Sequence, residues 1–194
     1  GDIADARTTR LLFETFRPDY VMNLAAETHV DRSIHVGALE FIRTNVIGVF
    51  NLLEAIKSSG AVRKYVQVST DETYGALPLE PAELKFSEES PFRPNVPYAA
   101  TKAGGDLLCR AYHSTWQVPV VVTHCSNNYG PYQYPEKLIP YFVTRLLEGK
   151  KAPLYGDGQH VRDWIHVEDH CRALALCLVE GRPGEVYNIG ADNE

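Results

Sequence analysis

The feature that most constrains the fold is a regular alternation of helical patterns with short apolar runs. Apolar residues recur every three or four positions from Val36 to Ser59, and Pro97 suits the first turn of a second long helix that ends near Trp116. Val118 to Cys125 lacks polar alternation, which is typical of a strand buried on both faces. Two further runs, at 20–26 and 64–69, also suit strands. This order of elements predicts an α/β fold with a parallel sheet.

Shorter patterns continue this order on either side of the long helices. Apolar residues at helical spacing between 5 and 16 predict a first helix, and similar patterns predict helices near 136–149 and from about Val167 to Val179. Ala152 to Tyr155 has the character of an extended piece, and residues 185–189 of one more strand. The first two-thirds of the chain is therefore predicted to be one layered sheet, and the remainder to cover its ligand-binding edge.

Charge and composition argue against several classes of function. The 194 residues carry a net charge of −6 and no basic stripe, which argues against a nucleic-acid partner. No run of about 18 apolar residues exists, so the sequence predicts no membrane-spanning helix. The four cysteines contain no CxxC pair and are expected to be buried thiols in a reducing compartment, which favours the cytoplasm.

A hydroxyl and two adjacent carboxylates follow the predicted strand 64–69. The segment reads Ser69-Thr70-Asp71-Glu72, and ligands in open α/β sheets sit beyond the carboxyl ends of the strands. Two carboxyls in different surroundings can have separated pKa values, so that one donates a proton while the other accepts one. The competing interpretation is an Asp-Glu pair that is simply solvated on a loop.

Tyr98 and Lys102 form a second pattern near the start of the helix that ends at Trp116. They are four residues apart, so they share one helix face. A Lys ammonium there is expected to favour the tyrosinate and to lower the pKa of Tyr98, which would make Tyr98 a general base for the oxidation of an alcohol. YxxxK alone also occurs as a surface pair. Together with Thr70, it forms the hydroxyl, Tyr and Lys set of short-chain dehydrogenases.

Several further segments share one resemblance with these residues. They are Leu24 to Ile34, Ser69 to Gly75, Tyr98 to Lys102, Ser126 to Pro140, Gly156 to Trp164 and Tyr187 to Gly190. On these segments the chain resembles the nucleotide-sugar 4,6-dehydratases of the extended short-chain dehydrogenase/reductase family, and most closely those that act on dTDP-glucose. Epimerases and decarboxylases of that family share YxxxK and Leu-Ala-Ala. The Thr-Asp-Glu triplet is more specific, since most relatives lack an Asp at the position of Asp71.

The resemblance implies a fold, a cofactor and a mechanism. The fold is a Rossmann-like doubly wound parallel sheet of the α/β class, followed by the start of a smaller substrate-binding domain. NAD would be the cofactor, and a nucleotide sugar, dTDP-glucose, the substrate. Tyr98 would be the base for hydride transfer from sugar carbon 4, with Lys102 holding the ribose. Glu72 would then remove the proton of carbon 5 while Asp71 protonates the hydroxyl that leaves carbon 6.

The resemblance also implies which residues contact each ligand. Positions that match cofactor contacts are Asp2, Ile3, Leu24, Ala25, Ala26, Glu27, Thr44, Tyr98, Lys102 and Asn128. Positions that match substrate contacts are Thr28, Thr70, Asn127, Lys137, Leu138, Pro153, Leu154, Tyr155 and Arg162. Arg162 would clamp the pyrophosphate, because a guanidinium suits two phosphate oxygens. Thr28 replaces the Ser common in the family and keeps the hydroxyl.

The glycine-rich phosphate loop of the family has no counterpart in these residues. No Gly-x-x-Gly-x-x-Gly pattern follows an N-terminal strand, so we expect a fragment of a longer protein that alone binds NAD weakly and is inactive. Residues 1–130 are expected to be part of an NAD-binding Rossmann domain whose N-terminal part is missing. Residues 131–194 are expected to be part of the nucleotide-sugar-binding region, with a strand near 185–189 returning to the main sheet.

Some alternatives stay open, and two minor patterns need an interpretation. The same scaffold would serve a UDP-glucose 4,6-dehydratase, an epimerase or a decarboxylase. A non-catalytic nucleotide-binding scaffold is also possible, although the Tyr98–Lys102 pair argues against it. His166 and His170 are spaced like a metal pair, but no third ligand has evident spacing, so no metal is predicted. The helices 36–59 and 98–116 are expected to form a homodimer interface, as they do in the family.

Overall fold

A four-stranded parallel sheet forms the centre of the molecule. The computed structural model describes residues 1–78, 84–154 and 156–192. The sheet has the strand order β1 (Tyr20–Asn23), β2 (Lys64–Thr70), β3 (Val120–Cys125) and β6 (Val186–Ile189), and neighbouring strands pair in parallel. β4 (Asn127–Tyr129) and β5 (Trp164–His166) pair in a separate two-stranded sheet. This arrangement confirms the predicted α/β class and its parallel sheet.

Helices cover both faces of the sheet. On one face, Tyr65 of β2 and Val120 of β3 share a buried cluster with residues of α1 (Ala6–Phe16), α4 (Val49–Ser59) and α5 (Pro97–Trp116). The next residues along both strands, Val66 and Val121, pack on the other face with Leu174 of α7 (Val167–Glu180). Successive strand residues point to opposite faces, so these clusters are the two cores of a doubly wound, Rossmann-like sheet. None of the helices within the described ranges has the length and apolar character to cross a membrane.

The helix predicted over 36–59 is divided in the structure. A short helix, α2 (Val30–His35), ends before Gly37, whose φ of +133° lies in the region that favours glycine and cannot continue a helix. The long helix begins only at α3 (Leu39–Ile42), continues through the π-helical turns Arg43–Gly48 and passes into α4. The prediction was wrong at its N-terminal end, because it overlooked the break that Gly37 imposes.

Other predicted elements are shorter in the structure. The strand predicted over 20–26 ends at Asn23, because the Asn23 side-chain oxygen accepts a hydrogen bond from the Ala25 N–H at 3.1 Å and turns the chain. The helix predicted near 136–149 is α6 (Leu138–Leu147). Ala152 to Leu154 form no strand, which corrects the predicted extended piece, and Tyr155 lies outside the described residues.

The first helix is present where it was predicted, but its apolar positions are not its buried ones. Leu11, Leu12 and Phe16 are 59%, 48% and 72% exposed. Thr9 and Phe13 face the core instead. Thr9 is tolerated there because its hydroxyl donates to backbone oxygens of the preceding turn and of Ile3. The exposed residues therefore form an apolar face of α1 that the described part of the chain does not cover.

Candidate active site

The Thr70-Asp71-Glu72 triplet forms a tight turn at the carboxyl end of β2. Thr70 is the last strand residue, and Asp71–Tyr74 form one 3₁₀ turn. The Thr70 hydroxyl caps this turn by accepting a hydrogen bond from the Glu72 N–H at 3.3 Å, and its oxygen lies 3.4 Å from the Asp71 carboxylate, to which it donates. Both carboxyls are half-buried. The triplet is therefore held in a fixed geometry and is not a solvated loop.

Burial changes the proton affinity of both carboxyls in the same direction. The pKa of Asp71 is raised, chiefly by burial, and the Thr70 hydrogen bond and the Arg162 charge oppose that shift. The pKa of Glu72 is also raised by burial and by the neighbouring Asp71 charge, while Arg162 and Lys137 lower it. Arg162 and Lys137 therefore lie close enough to act on the carboxyl pair. Because both pKa values are raised, these shifts do not show the predicted separation between the two carboxyls.

Tyr98 and Lys102 lie on the first turns of α5, beside the triplet. Pro97 occupies the first turn of the helix, and the Tyr98 N–H donates to the Ser33 hydroxyl at 3.3 Å. Lys102 is buried, and its ammonium donates to the Val68 carbonyl at 2.7 Å. Val68 lies two residues before Thr70, so β2 positions the Thr, Tyr and Lys set in one place.

The pKa of Tyr98 moves in the opposite direction to the one expected. Burial raises it strongly and the Glu72 charge adds to that shift, whereas a hydrogen bond with Thr70 lowers it. Burial also lowers the pKa of Lys102, and the Asp106 charge opposes that shift. The pKa of Tyr98 is therefore not lowered in the protein alone as expected, because burial of the phenol and the Glu72 charge both raise it.

Asn45 anchors Glu27, at the end of the stretch that begins at Leu24, and sequence reasoning overlooked it. Its side chain accepts from the Glu27 N–H and donates to the Glu27 carbonyl, both at 3.0 Å, and also donates to Thr101 at 3.0 Å. Thr101 immediately precedes Lys102, so this stretch is tied to α5 beside the candidate base. A buried Asn in a helix with an otherwise apolar pattern was the available signal, since a buried polar side chain needs hydrogen-bond partners.

The remaining predicted cofactor positions lie around this stretch. Asp2 accepts from the Ala4 N–H at 2.8 Å, and the Ile3 carbonyl accepts from Asn51 of α4 at 2.9 Å. Thr44 is half-buried in the π-helical turns next to Asn45. Leu24 is 63% exposed beyond β1, Ala25 is exposed, and Ala26 and Glu27 are half-buried.

The two-stranded sheet carries the predicted Asn127 and Asn128. The Asn127 N–H donates to the Asp163 carbonyl at 3.1 Å, next to Arg162. The Asn128 amide donates to the Ser126 carbonyl at 3.1 Å, and its oxygen lies 2.7 Å from Nδ1 of His170. Nδ1 of His170 is therefore within hydrogen-bonding distance of Asn128. Within the described ranges, no cluster of three or more His, Cys, Asp or Glu side chains is arranged to hold a metal ion.

Four other predicted substrate positions are less closely tied to the carboxyl pair. Leu138 begins α6 and is 49% exposed, directly after Lys137. Leu154 is 71% exposed, and its side chain lies against the Gly158 turn, while Pro153 is half-buried. Thr28 is exposed in the segment before α2. The structure therefore brings together mainly Thr70, Asp71, Glu72, Tyr98, Lys102, Lys137 and Arg162.

Comparison with known proteins identifies the family. The family model described as GDP-mannose 4,6 dehydratase matches residues 1–194. The chain belongs to the GDP-mannose 4,6-dehydratase family. This membership, together with the relatives below, confirms the resemblance to nucleotide-sugar 4,6-dehydratases of the extended short-chain dehydrogenase/reductase family.

Individual relatives are also similar over most or all of the chain. A dTDP-glucose 4,6-dehydratase of Xanthomonas campestris pv. campestris is 48% identical over 203 residues, which cover 100% of this chain and 56% of that protein. The solved dTDP-glucose 4,6-dehydratase of Bacillus anthracis, in complex with NAD, is 50% identical with a TM-score of 0.89. The match covers 100% of this chain and 58% of that one. The solved dTDP-glucose 4,6-dehydratase of Streptomyces venezuelae is 52% identical with a TM-score of 0.91, and the match covers 97% of this chain and 56% of that one. The chain thus spans about half the length of these relatives.

Proposed function

We propose that the full-length protein is an NAD-dependent lyase that converts dTDP-glucose to dTDP-4-keto-6-deoxyglucose and water. The observation that carries this proposal is the Thr70-Asp71-Glu72 turn beside Tyr98 and Lys102. Oxidation of an alcohol needs only the hydroxyl, Tyr and Lys set. Elimination of water needs in addition one group that removes a proton and one that donates a proton, and the two half-buried carboxyls supply these.

The residues present fit a nicotinamide cofactor. Lys102 uses one of its three N–H donors on Val68, which leaves two for the hydroxyls of a ribose. The stretch from Leu24 to Glu27 follows the carboxyl end of β1, and such folds bind dinucleotides at that edge of the sheet. When bound, NAD would accept a hydride from sugar carbon 4 and return it to carbon 6, so none is consumed. A positively charged ring near Tyr98 would also oppose the effect of burial on the pKa of Tyr98.

The side chains of this chain would move protons in three places. Tyr98 would take the proton of the carbon 4 hydroxyl during oxidation. The resulting ketone acidifies carbon 5, from which Glu72 would remove a proton. Asp71, whose raised pKa favours the protonated form, would donate a proton to the carbon 6 hydroxyl, which leaves as water. The raised pKa of Glu72 makes it a stronger base once ionised.

Four further assignments belong to the same proposal. Residues 1–130 would be part of the NAD-binding domain and 131–194 part of the nucleotide-sugar region, with β6 completing the main sheet. Arg162 would clamp the pyrophosphate, and Lys137 would contact the nucleotide sugar. The protein would form a homodimer through the helices at 39–59 and 97–116, and it would reside in the cytoplasm, which the four free thiols support.

The test compares two substrates with the full-length protein. Incubation with dTDP-glucose and with UDP-glucose is followed by the alkali-induced absorbance of a 4-keto sugar, at constant NAD. We expect keto sugar from dTDP-glucose and much less from UDP-glucose. The reverse preference would identify a UDP-glucose 4,6-dehydratase. Formation of a 4-epimer without keto sugar would identify an epimerase, and binding of the sugar nucleotide without turnover would identify a scaffold protein.

A further inference from the structure

A buried carboxylate lies one helical turn behind Lys102. Asp106 is four residues further along α5 and is 3% exposed, while Lys102 is 4% exposed. Both side chains reach the same strand, because Lys102 donates to the Val68 carbonyl at 2.7 Å and the Ser69 hydroxyl donates to Oδ2 of Asp106 at 2.6 Å. Residues four apart in a helix lie on one face, so the ammonium and the carboxylate share this buried face of α5.

The Asp106 carboxylate is held in one orientation from two strands. Oδ2 accepts from Ser69 of β2 and lies 3.2 Å from Nε2 of His124 of β3. Nδ1 of His124 in turn lies 2.6 Å from the hydroxyl of Tyr74, at the end of the turn that carries Asp71 and Glu72. Because one oxygen has partners on both strands, another side-chain rotamer of Asp106 would break both hydrogen bonds.

The hydrogen bonds from Ser69 and His124 do not account for the second oxygen of Asp106. Oδ1 is buried and has no hydrogen-bond partner among the described residues. A cavity of about 70 Å³ between α5, β3 and β6 reaches Asp106 and His124, which gives room for water. A buried anion costs free energy unless a positive charge compensates for it, and Lys102 is the buried cation on the same helix face.

We propose that Asp106 is a positioning residue that keeps the Lys102 ammonium charged beside the candidate base Tyr98. This inference rests on the proposed function, in which Lys102 holds the cofactor and assists Tyr98. Asp106 touches neither substrate nor cofactor in this role. It acts through Lys102, which burial would otherwise drive toward the neutral amine.

The neighbouring groups leave Asp106 as the anion that acts on Lys102 at neutral pH. Within the described ranges, the titratable groups that interact with Lys102 or Asp106 include Tyr65, Tyr74, Tyr98, Cys109, His124 and Cys125. Burial raises the pKa of Cys125 to about 11 and that of Cys109 further, so both remain thiols. Burial also raises the pKa of the three phenols, so they remain neutral.

The experiment follows the Lys102 proton directly in the full-length protein labelled with ¹⁵N-lysine. Nuclear magnetic resonance gives the titration midpoint of each lysine Nζ, and Lys102→Arg identifies the signal of Lys102. Asp106→Asn should lower the Lys102 midpoint by about one pH unit or more, at the low end of what a nearby opposite charge contributes. Asp106→Ser is a second uncharged variant, and Asp106→Glu is the charged control that should retain most of the wild-type midpoint. His124→Gln should not lower the midpoint.

A kinetic arm connects this shift to the reaction. In single-turnover formation of NADH from dTDP-glucose, the alkaline limb of the pH profile should move down with the Lys102 midpoint in the uncharged variants. An unchanged midpoint in Asp106→Asn and Asp106→Ser, or an equal fall in Asp106→Glu, would overturn the proposal. A wild-type midpoint below about 7 would overturn it without any variant, because Lys102 would then be neutral despite Asp106. Shifted midpoints without NADH from any nucleotide sugar would support the action of Asp106 on Lys102 and refute the dehydratase proposal.

Discussion

Burial raises the pKa of Asp71, Glu72 and Tyr98 together, but the consequence differs for each side chain. A carboxyl with a raised pKa is a better proton donor near neutrality when protonated and a better base when ionised. A phenol with a raised pKa is a poorer source of tyrosinate. Burial alone thus raises the proton affinity of the carboxyl pair, whereas under the proposed function Tyr98 would need positive charge from Lys102 and from bound NAD to act as a base.

This difference predicts distinct failures for variants of the full-length protein. Tyr98→Phe should prevent hydride transfer, so that no NADH forms in a single turnover. Asp71→Asn and Glu72→Gln should still form NADH but accumulate it, with rates of keto-deoxy sugar formation lower by about 10²- to 10⁴-fold. Tyr112→Phe, which removes a hydroxyl from the same helix where it bonds Glu54, should leave both steps unchanged.

The assignment of roles within the carboxyl pair has its own readout. Glu72→Gln should stop exchange of the carbon 5 proton with deuterated solvent, and Asp71→Asn should leave part of that exchange. Deuterium at carbon 5 is measured by mass spectrometry of the recovered sugar nucleotide. Exchange at the wild-type rate in Glu72→Gln would show that another group is the base.

The same shifts predict an effect on stability. A carboxyl whose pKa is raised on folding stabilises the folded state below its unfolded pKa, near 3.8 for Asp71 and 4.5 for Glu72, and loses that contribution as the pH rises through the folded value. Asp71→Asn and Glu72→Gln should therefore raise the Tm at pH 8, by about 2–4 °C for each kcal/mol relieved, and much less at pH 4. Asp5→Asn is the control with the opposite sign, because hydrogen bonds from Thr8 and Arg7 lower the pKa of Asp5. A lower Tm at pH 8 for both site variants would contradict the shifts.

The contact between α5 and the π-helical turns Arg43–Gly48 depends on the absence of a side chain. A Cβ at Gly105 would meet the Asn45 backbone oxygen at 2.6 Å, whereas a Cβ at the adjacent Gly104 would meet Val46 at an ordinary 3.4 Å. Gly105 thus permits the close approach that lets Asn45 reach both Glu27 and Thr101.

Two alanine variants test this contact in the full-length protein. Gly105→Ala should lower stability by about 1–3 kcal/mol through overpacking and also weaken NAD binding, since Asn45 must shift. Gly104→Ala should be neutral or raise stability by up to about 1 kcal/mol, because Ala is the better helix former. Thermal unfolding and isothermal titration with NAD give both quantities. Equal behaviour of the two variants would show that Gly105 has no special packing role.

The sequence located best those elements whose apolar pattern extends over many residues or whose end is marked by a clear boundary residue. α5 begins at Pro97 as predicted, and β2 and α7 lie within one or two residues of their predicted bounds. The three-residue strands β4 and β5 were overlooked, because three residues are too few to show a period. The π-helical turns have the same apolar spacing as an α-helix, so only a contact such as that of Asn45 reveals them.

The candidate site was predictable only in part, because some of its residues form local patterns in the sequence and others do not. Thr70, Asp71, Glu72, Tyr98 and Lys102 follow from strand ends and helix spacing, which sequence displays. Asp106 and His124 come from a helix and a strand that meet only in the folded chain. Their contact leaves no local pattern, and neither does the effect of burial on the pKa of Tyr98.

At the scale of the whole molecule, the apolar residues exposed on the helices at 39–59 and on α5 lead to a prediction about assembly. Leu39, Phe50 and Leu107 are 67%, 43% and 54% exposed. If a second copy covers them, Phe50→Glu should weaken the homodimer at least about tenfold, because a charge would be buried in an apolar interface.

Phe16→Glu is the matched control for assembly, since Phe16 is 72% exposed on α1. Sedimentation equilibrium of the full-length protein gives the dimer dissociation constant of each variant. A monomeric wild-type protein, or equal weakening by both substitutions, would refute an interface on these helices.

The position of β6 in the sheet has a consequence for how the chain reaches its native state. Val122 of β3 pairs with Val186, which is 64 residues later in the sequence, so the sheet closes only after the intervening helices and the two-stranded sheet have been synthesised. Until then the valine-rich edge of β3 is open to pairing with another chain. Because such distant contacts are slow to form, we expect docking of β6 to be a late folding step, and aggregation at elevated temperature during synthesis to begin at this edge.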